Sequence, residues 1–96
     1  MGARRELLEA KRDEITAIVR RHRGRSVAVF GSVARGNETN ASDIDFLVEF
    51  EPGSSLFDLL HLQDELRSLL GSDVDVVSKG ALKPRDAHIR REAVPL

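Results

Sequence analysis

The segment Asp43-Ile44-Asp45-Phe46-Leu47-Val48-Glu49-Phe50 constrains this chain more than any other. Successive side chains of an extended strand point to opposite faces. Ile44, Phe46, Val48 and Phe50 therefore share an apolar face, while Asp43, Asp45, Leu47 and Glu49 share the other. Such a strand is half-buried. Its apolar side requires a covering layer, and its carboxylates require water, cations or cationic partners. At 96 residues the chain has room for one domain, residues 1–96, to supply that layer.

The covering layer is legible on either side of this strand. Leu7, Leu8, Ile15, Ile18 and Val19 recur at helical spacing, which predicts an amphipathic helix over residues 4–22 ended by Gly24. The short apolar run 26–30 reads as a buried strand, followed by one possible helical turn at Gly31–Gly36 and a polar loop over 37–42. After a turn at 51–54, Ser54 or Ser55 can cap a helix over 56–70, with Leu56, Leu59, Leu60, Leu66 and Leu70 as its core stripe. Residues 73–77 alternate carboxylates with valines as a third strand. Pro84 suits the first turn of a last helix over 85–92, and Pro95 closes the chain. The expected fold is α/β or α+β: a small mixed sheet with helices packed on one face and the other face open.

Composition removes several classes of function. No apolar run approaches the ~20 residues of a membrane-spanning helix, and the first residues lack the apolar core of a signal peptide. The absence of cysteine excludes disulfides, thiolate metal sites and cysteine nucleophiles, and it fits a cytoplasmic location. The formal charge of -1 conceals an acidic centre: residues 26–78 hold ten acidic and two basic side chains. That centre argues against a continuous nucleic-acid face, and the aromatic residues, all Phe, offer few stacking platforms.

Asp43 and Asp45 leave one strand face roughly 6–7 Å apart at the backbone. Aspartate is depleted in strands, and two unpaired carboxylates side by side raise each other's pKa. A hard divalent cation relieves that repulsion, and Mg²⁺ is commonly held by one or two carboxylates plus phosphate oxygens. The competing reading is two exposed strand aspartates. Gly31 and Ser32 follow the preceding strand directly. A glycine there permits close backbone approach to a ligand, and Ser32 adds a hydroxyl donor for phosphate. Arg35 could reach toward phosphate or pair with an acidic neighbour. Asp75, opposite Val74 and Val76 in direction, could join the pair; Asp73 lies on the same side but nearer a turn.

Gly31-Ser32-Val33-Ala34-Arg35-Gly36, a short polar loop, and Ser42-Asp43-Ile44-Asp45-Phe46-Leu47-Val48 together resemble the signature of the DNA polymerase β-like nucleotidyltransferases. More narrowly, the chain resembles the minimal nucleotidyltransferases (MNT), the antitoxin half of HEPN–MNT toxin–antitoxin pairs. The resemblance implies a nucleotidyltransferase fold with two Mg²⁺ ions and ATP. It implies that Gly31 and Ser32 hold the triphosphate and that Asp43, Asp45 and Asp75 bind metal and carry catalysis. Arg35 occupies a position that is often basic in the minimal proteins. Larger members carry a second domain absent here, which speaks against a polynucleotide substrate. Members of the minimal group are similar to enzymes that transfer AMP from ATP to a tyrosine of a HEPN ribonuclease and so silence it.

The resemblance thus leads to a protein adenylyltransferase that acts on a HEPN toxin. Its rival is a binding module that neutralises the toxin by complex formation, its site idle. A third reading, a phosphatase using Asp-x-Asp, is disfavoured by the Gly-Ser turn upstream. His22 reads as solvated or as a helix-end cation, His61 as a boundary residue, and the basic pairs Arg4-Arg5 and Arg90-Arg91 as solvated charge, the alternative for these pairs being a role in holding a partner or nucleotide.

Overall fold

The computed structural model describes residues 3–36 and 43–96; the polar loop expected over 37–42 lies outside them. Helices α1 (Ala3–Ala10) and α2 (Arg12–Arg21) lead into strand β1 (Gly24–Phe30), the short helix α3 (Gly31–Arg35) and strand β2 (Ile44–Phe50). Helix α4 (Leu56–Leu70) and strand β3 (Val74–Ser78) follow. Two 3₁₀ turns, Lys79–Ala81 and Pro84–Asp86, then lead to helix α5 (Ala87–Glu92) and strand β4 (Val94–Pro95).

The sheet order is β3-β2-β1-β4. β1 runs antiparallel to both β2 and β4, whereas β2 and β3 are parallel. Parallel neighbours need a long crossover, and α4 supplies it. Val27 and Val29 of β1, Ile44, Phe46 and Val48 of β2, and Val74 and Val76 of β3 form one apolar face. Leu8, Ile15 and Val19 from the first two helices, Val33 from α3, and Leu62, Leu66 and Leu70 from α4 cover it. The opposite face carries Ser26, Ala28 and Phe30 beside Glu49, Leu47 and Asp45, with Asp75 and Val77 beyond.

Several expectations need correcting. The first helix is kinked at Lys11, although Lys11 N–H still donates to the Leu7 carbonyl at 3.1 Å and Ile15 N–H to the Lys11 carbonyl at 2.9 Å. Gly24 does not cap it. Arg23 takes the left-handed turn with φ of 65°, and Gly24 opens β1 as a packing residue. A Cβ there would overlap the Val19 side chain and stand 3.1 Å from Val48 Cγ1.

The core stripe of α4 is Leu62, Leu66 and Leu70, with Leu59 half-buried. Leu56 and Leu60 are 69% and 43% exposed. Leu60 is turned away from the buried row. Leu56 overhangs a groove of about 330 Å³ lined in part by Phe50, Leu59, Ser78 and Ala81. The leucines of this helix permit more than one stripe, and the position of the sheet beneath selects the one that is used.

Strand β4 has no counterpart in the sequence reading. Two residues are too few for a period, and its pairing (Ala28 with Pro95, Val29 with Val94) exists only because α5 returns the chain to the free edge of β1. No described helix is long and apolar enough to cross a membrane.

Candidate active site

The site begins where β1 ends. Phe30 is extended, with φ of -134°, and Gly31 turns sharply with φ of +74° into the helical turn of α3. Val33 is fully buried and anchors this turn in the core. Arg5 of α1 secures it from outside, donating from Nη1 to the Ala34 carbonyl at 3.1 Å. Sequence reasoning assigned Arg5 to solvated charge; nothing local marks a contact across 29 residues.

Across the ladder from Phe30 stands Asp45. Its carboxylate lies against Gly31 so closely that a Cβ built there would meet Oδ2 and stand 3.3 Å from Cγ. On its other side, Asp45 is in register with Asp75 of parallel β3, so both side chains leave the same face. Asp43 sits just before β2 and is exposed. The adjacent Ile44 N–H donates to the Asp73 carbonyl at 3.0 Å and holds the two strand starts together. Gln63 of α4 steadies β3 by accepting the Val76 N–H at 3.0 Å.

The electrostatics report the same grouping. Burial raises the Asp45 pKa above its usual 3.8, the charges of Asp75 and Asp43 raise it further, and Arg35 opposes them. Asp45 therefore lies within electrostatic reach of both other predicted carboxylates, Asp75 and Asp43. Among the described residues, no three metal-ligating side chains form a ready-made cage. Mg²⁺ does not require one, because it dehydrates reluctantly and takes several of its oxygens from water and phosphate. An oxygen-only donor set with uncompensated negative charge fits that ion.

Ser32 is half-buried beside Gly31 at the start of the same turn. Arg35 adopts the second of the two arrangements left open by sequence: Nη1 pairs with Glu92 Oε2 at 3.1 Å, tying α3 to α5. It remains near enough to Asp45 to lower its pKa. Glu92 had no distinguishing signal, being 57 residues from its partner.

A buried strand, a glycine turn and a carboxylate pair on the next strand would be compatible with several phosphate enzymes. The model of the nucleotidyltransferase domain matches residues 12–95, which include all of these elements. The chain belongs to the nucleotidyltransferase domain family. It is 44% identical over 71 residues to the protein adenylyltransferase MntA of Thermococcus cleftensis, covering 73% of this chain and 72% of that protein. A solved structure of a candidate minimal nucleotidyltransferase superposes with a TM-score of 0.87 at 44% identity, covering 100% of this chain and 97% of the other. A chain from the complex of a tri-AMPylated Shewanella oneidensis HEPN toxin with an MNT antitoxin gives a TM-score of 0.69, covering 91% of this chain and 69% of that one. At 20% identity, that last likeness establishes the fold alone. The protein is thus a nucleotidyltransferase of the minimal type, with protein adenylyltransferases among its relatives. Enzymes of this family use Mg²⁺ and a nucleoside triphosphate.

Proposed function

We propose that this nucleotidyltransferase moves AMP from ATP to a tyrosine hydroxyl of a partner HEPN ribonuclease toxin and thereby neutralises it. The observation that carries the reading is the placement of the Asp45 carboxylate between Gly31 and Asp75. A phosphate chain lying along the glycine turn would present its α-phosphorus beside Asp45, and a hydroxyl arriving next to Asp75 would face it. The adenylyltransferase relative and the fold shared with a chain of an AMPylated toxin complex support the choice of nucleotide and acceptor.

In this mechanism the tyrosine oxygen bonds to the α-phosphorus while the bond to the bridging oxygen of the β-phosphate breaks. The electron pair leaves with pyrophosphate, and the tyrosine proton passes to Asp75, the general base. Asp43, Asp45 and Asp75 are the residues that would hold two Mg²⁺ ions, which when bound neutralise charge on the attacking and leaving oxygens. The Gly31 backbone and the Ser32 hydroxyl hold the triphosphate, and Arg35, turning from Glu92, adds a cation to it. Other surfaces of the acceptor protein supply recognition, which a small domain need not carry itself.

The test is transfer of label from α-labelled ATP to a co-expressed HEPN partner, with mass spectrometry locating the added AMP. Asp45→Asn should abolish labelling without unfolding the chain. Normal labelling by that variant would refute the assignment. The exposed Leu56, Phe57 and Leu60 favour a second reading, neutralisation by contact alone, because they provide apolar surface that a partner could cover. Asp45→Asn would then still neutralise the toxin.

A further inference from the structure

Helix α3 spans only Gly31–Arg35. A helix that short does not hold its own position, because isolated helices below ~12–15 residues are marginal in water. The aim of the Gly31–Ser32 turn at its start is therefore set by what the rest of the chain attaches to it. Three attachments are present. Val33 is fully buried in the core. Arg35 Nη1 meets Glu92 Oε2 at 3.1 Å, an exposed pair between two long side chains. The third differs in kind: Arg5 Nη1 donates to the Ala34 carbonyl at 3.1 Å and so grips the main chain of α3 itself.

The last carbonyls of a helix lack partners within it. Gly36 N–H donates to the Val33 carbonyl at 3.2 Å and to that of Ser32. The Ala34 carbonyl accepts instead from Arg5, 29 residues earlier. This contact is partly buried, and its donor is charged, which strengthens it. Arg5 also has a fixed base. Leu8, three residues on and so on the same face of α1, is fully buried in the core that holds Val33. Helix α1 is thus pinned by Leu8 and reaches α3 through Arg5. Residue 5 precedes residues 12–95, so this brace lies outside the matched nucleotidyltransferase domain.

We propose that Arg5 is a positioning residue for nucleotide binding: through the Ala34 carbonyl it holds the Gly31–Ser32 turn at the separation from Asp45 that a bound triphosphate requires. The proposal rests on the nucleotide-transfer reading above and extends it to a residue that acts from outside the site. Gly31 lies so close to the Asp45 carboxylate that a small swing of α3 alters the gap between them. Misplacing a binding group by about 1 Å can cost ~100-fold.

The test compares the full chain with Arg5→Met, which keeps the stem of the side chain and removes the donor, and with Arg5→Lys, which restores a charged donor. Calorimetric titration reads the affinities for Mg-ATP and for Mg-tripolyphosphate. Transfer of label from α-labelled ATP to the HEPN partner reads KM and kcat. Arg5→Met should weaken both ligands about tenfold and raise the KM for ATP in parallel, with kcat within about twofold of the parent. Arg5→Lys should recover most of the loss. Glu65→Gln, which removes a contact between α2 and α4, supplies the signature of a merely structural defect: a lower Tm with both affinities as in the parent. If Arg5→Met behaves like Glu65→Gln, the proposal is overturned. An affinity loss that Arg5→Lys leaves uncorrected overturns it too, as does a loss for Mg-ATP alone, which places the effect at the nucleoside. Should Arg5→Met not fold, Arg5→Ala is read in its place. A parent chain that binds Mg-ATP yet labels no acceptor sinks the transfer reading alone, and the affinities still decide the role of Arg5. One that binds neither ligand overturns both.

Discussion

The Asp45 carboxylate occupies the space that a side chain at position 31 would need, so the glycine turn and the central acid are parts of one arrangement. Gly31→Ala faces two costs. Its φ of +74° is left-handed, which costs an L-residue about 1–2 kcal/mol, and its methyl group must displace Asp45. Denaturant unfolding should show a loss of that size, and nucleotide transfer should fall along with Mg-ATP binding. Parent-level ATP affinity in this variant would show that close approach at Gly31 is unnecessary.

Asp45 should also set a pH-dependent stability. Burial first, then Asp75 and Asp43, raise its pKa above 3.8, so the folded chain binds this proton more tightly than the unfolded one. The group's contribution is therefore fully present below 3.8 and is lost as pH rises through the raised value. In metal-free buffer at neutral pH, Asp45→Asn should melt higher than the parent, and the difference should shrink in acid. Added Mg-ATP should raise the Tm of the parent and not of the variant, because only a ligand that binds the native state stabilises it.

The Arg35–Glu92 pair is exposed, and its loss should cost less than about 1 kcal/mol of stability. If Arg35 also serves the triphosphate, the two halves of the pair will not behave alike. Arg35→Gln should raise the KM for ATP about tenfold, equivalent to about 1.4 kcal/mol. Glu92→Gln should leave it nearly unchanged. Equal effects on KM from both variants would reduce Arg35 to a clip between α3 and α5.

Gly24 makes a purely structural prediction. A methyl group there overlaps Val19 and crowds Val48, and such overpacking typically costs about 1–3 kcal/mol. Gly24→Ala should lower the unfolding free energy from denaturant titration by that amount. Shortening Val19 to Ala in the same chain should recover part of it, giving a non-additive double-mutant cycle.

Glu65 joins α4 to the end of α2. It accepts from Arg21 and pairs with the half-buried His22 at 2.8 Å, so His22 is held by a partner on α4 and is not simply solvated. The hydrogen bond from His22, then that from Arg21, hold the Glu65 carboxyl below 4.5. Its stabilising effect is present above 4.5 and is lost as pH falls through the lowered value. Glu65→Gln should therefore melt below the parent at neutral pH and converge with it in acid.

Much of the site was legible because strand geometry is local. Period-two alternation placed Asp43 and Asp45 on one face, and the same rule selected Asp75; the register of Asp45 with Asp75 then joined two separate readings. Register and charge favour Asp75 over Asp73: Asp75 pairs in register with Asp45 and is among the charges acting on it, whereas Asp73 is not. The legible part stopped at contacts that no period encodes. Arg5 on Ala34, Glu92 on Arg35 and His22 on Glu65 join residues between 29 and 57 positions apart. None of them interrupts a local pattern. The leucines of α4 failed differently: their spacing allows several stripes, and only the sheet excludes the others.

The sequence by itself determined strands β1, β2 and β3, the glycine turn and the shared face of Asp45 and Asp75, because backbone period and steric freedom act within a few residues. Only the tertiary structure decided that Pro95 closes an apolar row with Ala28 and Leu47, that Arg35 meets Glu92, and that Leu62 is buried while Leu56 is not. Those outcomes depend on which surfaces the folded chain brings together. That is fixed by mutual packing of distant segments, and no single segment carries the information.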